Sequence, residues 1–288
     1  MRRITKIILA SVAVIGLGGI FYFLLHGADI AVLNPKGQIA DKQRDLMIIA
    51  TILGMSVVLP VFIMLFVFAW KYREGNTKAR YMPDWQNNRI IETVWWGVPF
   101  IIITILGVIA WQSSHELDPY RSLDSSKKPV KIQVVALQWR WLFIYPDDHI
   151  ASLSEVRFPV NTPVDFEITA DAPMNSFWIP KLGGQVYAMT GMSTQLHLQA
   201  NEKGDYPGSS ANISGEGFAD MKFTAKVVSD DDFARWKNDA KTAKEEMNST
   251  AYAKIAEPSK DTTPRLYTLS EIDLYDTIVM KYMDIGNH

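Results

Sequence analysis

The side chains in this chain that could do chemistry are few and widely spaced. There is no cysteine, which excludes disulfides, thiolate metal sites, cysteine nucleophiles and cysteine-linked lipids. No two of the histidines, His26, His115, His149, His197 and His288, stand at the spacing of a metal pair, so each is expected to be structural or on the surface. Glu92 is the one carboxylate at the start of a long uncharged run, where an anion complements a helix N-terminus. Paired acid and base carboxylates, a phosphate-binding glycine loop and a nucleophile elbow are not evident. Ser229-Asp230-Asp231-Asp232 reads as a helix N-cap with an acidic first turn. The aromatic stretch Gln138-Trp139-Arg140-Trp141-Leu142-Phe143-Ile144-Tyr145 is either a buried strand or a patch presented to a partner.

The elements that would position these residues divide the chain. The net charge of −2 over 288 residues offers no clustered cations for phosphates, which argues against nucleic acid as a partner. Leu46 to Trp70 carries no charged side chain, and a helix of that length rises about 37 Å, enough to cross a bilayer. Thr93 to Trp111 is a second uncharged run, with Trp95, Trp96 and Trp111 near its ends, where aromatic side chains meet headgroups. The loop between them holds Lys71, Arg73, Lys78, Arg80 and Arg89 against Glu74 and Asp84, which places it in the cytoplasm and everything after about Gln112 in the periplasm. Arg2, Arg3 and Lys6 precede an apolar run from Ile7 to Leu25, either a signal peptide or an uncleaved anchor.

Beyond residue 112 the pattern is that of an ordinary soluble domain. Val130 to Leu137 alternates, which predicts a half-buried strand, and Pro163 to Thr169, Thr194 to Ala200 and Met221 to Val228 repeat the pattern. Turn residues separate them, as in Pro146-Asp147-Asp148 and Pro207-Gly208, which points to an antiparallel sandwich or barrel. From Asp230 the spacing of Phe233, Trp236 and Ala240 is helical. The expected organisation is a signal or anchor over 1–27, a transmembrane helical hairpin over 28–112, an all-β sandwich or barrel over 113–228, and a C-terminal helical extension over 229–288.

Two membrane helices, a Trp-x-Trp-x-x-x-Tyr strand and such a domain together resemble subunit II of the heme–copper respiratory oxidases. The likeness covers roughly residues 28 to 240. Asn34-Pro35-Lys36-Gly37-Gln38, Phe68-Ala69-Trp70-Lys71-Tyr72-Arg73, Met174-Asn175-Ser176-Phe177, Tyr187-Ala188-Met189 and Gly217-Phe218-Ala219-Asp220-Met221-Lys222-Phe223 are similar in particular to the bo-type quinol oxidases.

Copper-bearing members of that family hold a dinuclear centre on the pattern Cys-x-x-x-Cys-x-x-x-His-x-x-Met, with a second histidine in an earlier loop. Laid on this sequence, the cysteine positions hold Ser210 and Ser214, the histidine positions Phe218 and Asn175, and the carbonyl donor position Asn212; only Met221 is kept. A hydroxyl does not replace a bridging thiolate, so the resemblance implies a cupredoxin without copper. The family's Asp and Arg five residues apart correspond to Tyr187 and Met192, as expected of a protein that does not dock cytochrome c. Without copper, Trp139 has no centre to feed with electrons, and Trp139 and Trp141 are read as packing residues. Ala28 stands near where bo-type members carry a lipidated cysteine.

The resemblance further implies a noncatalytic subunit of a proton-pumping quinol:oxygen oxidoreductase in the bacterial inner membrane. Heme and copper would reside in subunit I, which would also take the quinol, with subunits III and IV and membrane lipid as further partners. Arg89-Ile90-Ile91-Glu92-Thr93-Val94-Trp95 is similar to the segment whose Glu stands at the entrance of a proton pathway into subunit I, and a carboxylate at a membrane boundary can collect protons. The competing reading is a membrane-tethered scaffolding or binding protein on a degenerate cupredoxin.

Overall fold

The computed structural model describes residues 29–80, 82, 84 and 88–283, together with Gly16, Gly18 and Gly19. The run from Ile7 to Leu25, Ala28, His26 and His288 therefore lie outside the described residues, the three glycines excepted. The uncharged runs form α1 (Gln38–Lys71) and α2 (Arg89–Glu116), each extending past its apolar centre into polar turns. Their side chains are almost all exposed: within the most apolar stretch of each helix no residue is buried. Apolar helices that bury nothing within the chain need a lipid or protein surround. Pro60 and Pro99 lie inside them, tolerated as in other membrane helices.

The start of α1 is stitched to the β-domain. Lys36 N–H donates to the Lys181 carbonyl, and Gln38 and Ala40 N–H donate to the carbonyls of Gln199 and Leu182. Gly37 sits in this seam, where a Cβ would come within 2.7 Å of the Leu182 carbonyl oxygen. Only glycine permits that approach.

The β-domain contains β1 (Val130–Ala136), β2 (Trp141–Tyr145), β3 (Ile150–Leu153), β4 (Glu155–Pro159), β5 (Val164–Ala170), β6 (Asn175–Trp178), β7 (Val186–Ala188), β8 (Thr194–Leu198), β9 (Gly204–Ser210) and β10 (Lys222–Val228). It is followed by α3 (Asp230–Lys241), β11 (Glu246–Met247), α4 (Ser249–Ala256), β12 (Arg265–Leu269) and α5 (Leu274–Met280). The strands form two sheets, one of seven in the order β11-β12-β3-β2-β1-β5-β8 and one of five in the order β4-β10-β9-β6-β7. The sheets are mixed rather than purely antiparallel: β1 runs parallel to β5, and β4 parallel to β10. Between them lies an aromatic core in which Phe177 stacks on Phe223 at 5.1 Å and Trp141 meets both rings edge-on.

The first strand departs from expectation. β1 is buried on both faces from Ile132 onward, and every residue of β2 is buried. The cause is the C-terminal extension, which lays Met247, Tyr252, Ile255, Tyr267, Leu274 and Ile278 against the outer face at Val135, Leu142 and Ile144. Helices make up much of that extension, but β12 also pairs antiparallel with β3 and lengthens the large sheet at its edge. Ser229 caps α3 as its sequence suggests, accepting from Asp232 N–H.

Candidate functional site

The residues at the copper-ligand positions come from three places at one end of the sandwich. Asn175 begins β6, Ser210 ends β9, and Asn212, Ser214, Phe218 and Met221 follow in the loop leading to β10. The antiparallel register that sets Phe177 opposite Ser210 brings the ends of β6 and β9 together. There, buried Ser210 Oγ lies 2.9 Å from Asn175 Oδ1 and 3.1 Å from the Asn212 carbonyl, so its single proton serves a shared pair of acceptors. The same Oγ accepts from the backbone N–H groups of Ser176 and Asn212, both at 3.4 Å. Asn175 Nδ2 donates to the Pro173 carbonyl at 2.7 Å, and Asn212 Nδ2 to the Met174 carbonyl at 3.1 Å.

This is a closed, neutral hydrogen-bonded network in which amide and hydroxyl groups are spent on one another. Met221, fully buried, joins it through its backbone, since its carbonyl accepts from Ser210 N–H and its own N–H donates to Phe218 O. The side chains of Ser214 and Phe218 stand apart from the network. Ser214 Oγ is buried without a hydrogen bond, while its carbonyl accepts from Trp139 Nε1 at 3.2 Å. A carboxamide, hydroxyls, a phenyl ring and one thioether supply neither thiolate nor imidazole, and they do not fit copper. Among the described residues no group of three or more histidines, aspartates and glutamates is arranged to hold a metal ion.

Trp139 and Trp141 part company. Trp141 is a core residue with no exposure, whereas Trp139 is half-buried in the turn between β1 and β2 with φ at 69°, a costly conformation for a bulky side chain. Its ring is held from several sides. A Cβ at Gly217 would fall 2.2 Å from the ring, and Lys260 of the extension lies over it at 5.9 Å while pairing with Glu216. Met174 and Ile213, next in sequence to Asn175 and Asn212, are exposed, as are Tyr187, opposite Ser176 across β6 and β7, and Met192, which lines a cavity with Met174.

Glu92 is remote from all of this. It lies half-buried in the first turn of α2, whose N-cap Asn88 accepts from Ile90 and Ile91 N–H. The helix, 28 residues long, puts about 42 Å between its two ends, so Glu92 and the network do not share a site. Of the histidines, His197 pairs with Asp165 at 2.7 Å across β5 and β8, His115 lies on Trp111, and His149 turns the chain with a positive φ.

Sequence reasoning missed a buried carboxylate. Asp171 follows β5 with its side chain only 3% exposed, and it accepts from Tyr252 Oη at 2.7 Å, Lys281 Nζ at 2.8 Å and Tyr282 Oη. Burial pushes its pKa up, but the donors from Lys281, Tyr282 and Tyr252 outweigh that and hold it below the usual carboxylate value. Arg140 is a second tie, donating to the carbonyls of Ile255 and Glu257 at 2.6 and 2.9 Å. Both bind the extension to the sandwich through partners far away in sequence, and no local motif announces them.

Residues 149–228 match the family model described as the periplasmic domain of cytochrome c oxidase subunit II, and residues 241–286 match the COX aromatic rich motif. The chain is 50% identical over 259 residues to cytochrome bo(3) ubiquinol oxidase subunit 2 of Pseudomonas putida, covering 90% of this chain and 82% of the relative. It is 46% identical over 277 residues to ubiquinol oxidase subunit 2 of Acetobacter aceti, covering 96% and 90%. Among solved structures, the periplasmic domain of cytochrome oxidase subunit II of Bradyrhizobium japonicum is 26% identical, covering 40% of this chain and 95% of that domain at a TM-score of 0.38.

Proposed function

We propose, because the chain belongs to the subunit II family of the bo-type ubiquinol oxidases, that it is the noncatalytic subunit II of a proton-pumping quinol:oxygen oxidoreductase. The observation that carries this reading is the Asn175–Ser210–Asn212 network, which occupies the ligand positions of an electron relay with groups that cannot carry an electron. Electrons would pass from quinol to oxygen wholly within subunit I, which would hold the heme and copper. The two apolar helices anchor the chain in a membrane, here read as the bacterial inner membrane. The β-domain would cap subunit I on the periplasmic side, with the exposed Met174, Tyr187, Met192 and Ile213 at its contact, and subunits III and IV would complete the assembly. Nothing in the relatives favours a scaffolding role unconnected with respiration.

Gentle purification from native membranes, followed by an optical spectrum and metal analysis, tests this. Heme bands, quinol oxidase activity and copper accounted for by subunit I are expected. A chain that purifies intact without any heme-bearing partner would refute the reading.

Glu92 is proposed as a proton collector at the cytoplasmic boundary, supported by its half-buried place in the first turn of α2. Glu92→Ala is expected to slow turnover of the assembled oxidase, and unchanged turnover with unchanged pumping would end that assignment.

A further inference from the structure

Two adjoining cavities lie between the periplasmic ends of α1 and α2, and we propose that together they bind one zwitterionic phospholipid of the phosphatidylethanolamine type. The inference rests on the membrane-spanning reading of these helices and gives the lipid a place and a headgroup. Lys42 and Glu116 line both cavities and bridge the helices at 3.2 Å. One cavity, of about 170 Å³, is lined below Lys42 by Leu46 and Ile49 of α1 and below Glu116 by Ser113 of α2, with Leu117 at its upper end. The other, of about 220 Å³, opens upward and adds Arg121, Ser122 and Asp124.

The height is that of a headgroup. Leu46 begins the uncharged run of α1, and Lys42 stands one turn above it. On α2, Trp111 is 70% exposed and marks the interface. Glu116 lies about 7 Å further along the same helix. A lipid phosphate at that level meets Lys42 and Arg121, while its first acyl carbons lie against Leu46 and Ile49.

Charge selects among headgroups. The cavities present two cations, Lys42 and Arg121, against three carboxylates, Asp45, Glu116 and Asp124. Asp45 is already paired with Arg44 at 2.8 Å and Glu116 with Lys42 at 3.2 Å, whereas Arg121 and Asp124 make no side-chain hydrogen bond or ion pair among the described residues. An anionic headgroup would satisfy Arg121 but bring a further negative charge beside Asp124 and the Lys42–Glu116 pair. A phosphate bearing an ammonium group satisfies both, with the phosphate shared by Arg121 and Lys42 and the ammonium placed against Asp124 and the Glu116 that Lys42 then shares.

The test uses the full chain purified in detergent and stripped of lipid. Phosphatidylethanolamine or phosphatidylglycerol with the same acyl chains is titrated in, and bound copies are counted by native mass spectrometry. One phosphatidylethanolamine per chain is expected, with phosphatidylglycerol about tenfold weaker, and Arg121→Gln or Glu116→Gln should each weaken phosphatidylethanolamine about tenfold. Arg121 is exposed and unpaired among the described residues, so its replacement leaves the fold intact. Equal binding of the two lipids, or unchanged binding by Arg121→Gln, would overturn the proposal. Failure of the chain to co-purify with a heme-bearing partner from native membranes would count against the oxidase reading and leave this titration of the single chain readable.

Discussion

Removing the Asp171 carboxylate should loosen the C-terminal extension from the sandwich. Asp171→Ala leaves Tyr252 and Tyr282 hydroxyls without their acceptor and Lys281 without its partner. Hydrogen bonds to a charged group contribute about 1.5–3 kcal/mol each. The Lys281 pair, with the lysine 56% exposed, adds well under about 1 kcal/mol. The expected loss is therefore about 3–6 kcal/mol, or a fall in Tm of roughly 10–20 °C for a unit of this size. Asp171→Asn keeps the shape and one acceptor and should lose about half as much. Thermal unfolding of the full chain in detergent, followed by tryptophan fluorescence, measures both, and protease cleavage in the exposed 257–264 linker should accelerate in parallel. The pH dependence has a definite sign. Because the folded-state pKa is depressed, the contribution is complete above the usual carboxylate value and fades only as pH falls through the lower folded value. The difference between wild type and Asp171→Ala should thus stay constant from about pH 5 to 8 and close in stronger acid. Equal Tm values for wild type and Asp171→Ala at neutral pH would refute the latch.

Three further changes probe the site and its supports, each read by thermal unfolding of the full chain. Ser210→Ala removes the hydroxyl at the centre of the network and leaves Asn175 Oδ1 without a donor, and it should cost about 1–3 kcal/mol. Gly217→Ala drives a Cβ into the Trp139 ring and should cost about 1–3 kcal/mol; a red-shifted tryptophan emission is expected as the ring moves toward water. Tyr145→Phe deletes a buried hydroxyl that accepts from Arg157 N–H at 2.8 Å and donates to the Arg157 carbonyl at 2.9 Å, tying β2 to β4, and should cost about 1–2 kcal/mol.

What could be read from the sequence is what local patterns encode. The uncharged run from Leu46 to Trp70 has no use except as a membrane helix, and the acidic turn after Ser229 has no better place than a helix start. The positions of Asn175, Ser210 and Asn212 follow from a resemblance, and the structure draws these three into direct contact. The half-buried reading of Val130 to Leu137 failed because alternation reports only one covered face. Val135 and Leu137 face outward from the sandwich, and they are buried by residues more than a hundred positions later. Strand β12 was hidden for the same reason, since Arg265–Leu269 becomes a strand through pairing with β3. Asp171 gave no signal, because a single carboxylate after a strand looks like any solvated turn residue until Tyr252, Lys281 and Tyr282 arrive around it.

The covering of β1, β2 and β3 by the extension sets an order on the birth of the molecule. A ribosome releases the sandwich strands before the residues from Met247 to Val279. Until that stretch has crossed the membrane, Leu142, Ile144, Ala151 and Leu153 form a bare apolar sheet face, and β3 offers an unpaired edge. A nascent chain at that stage is a substrate for holding chaperones and for proteases. Truncation before Arg265 should yield a protein that is degraded rather than one that merely lacks a tail.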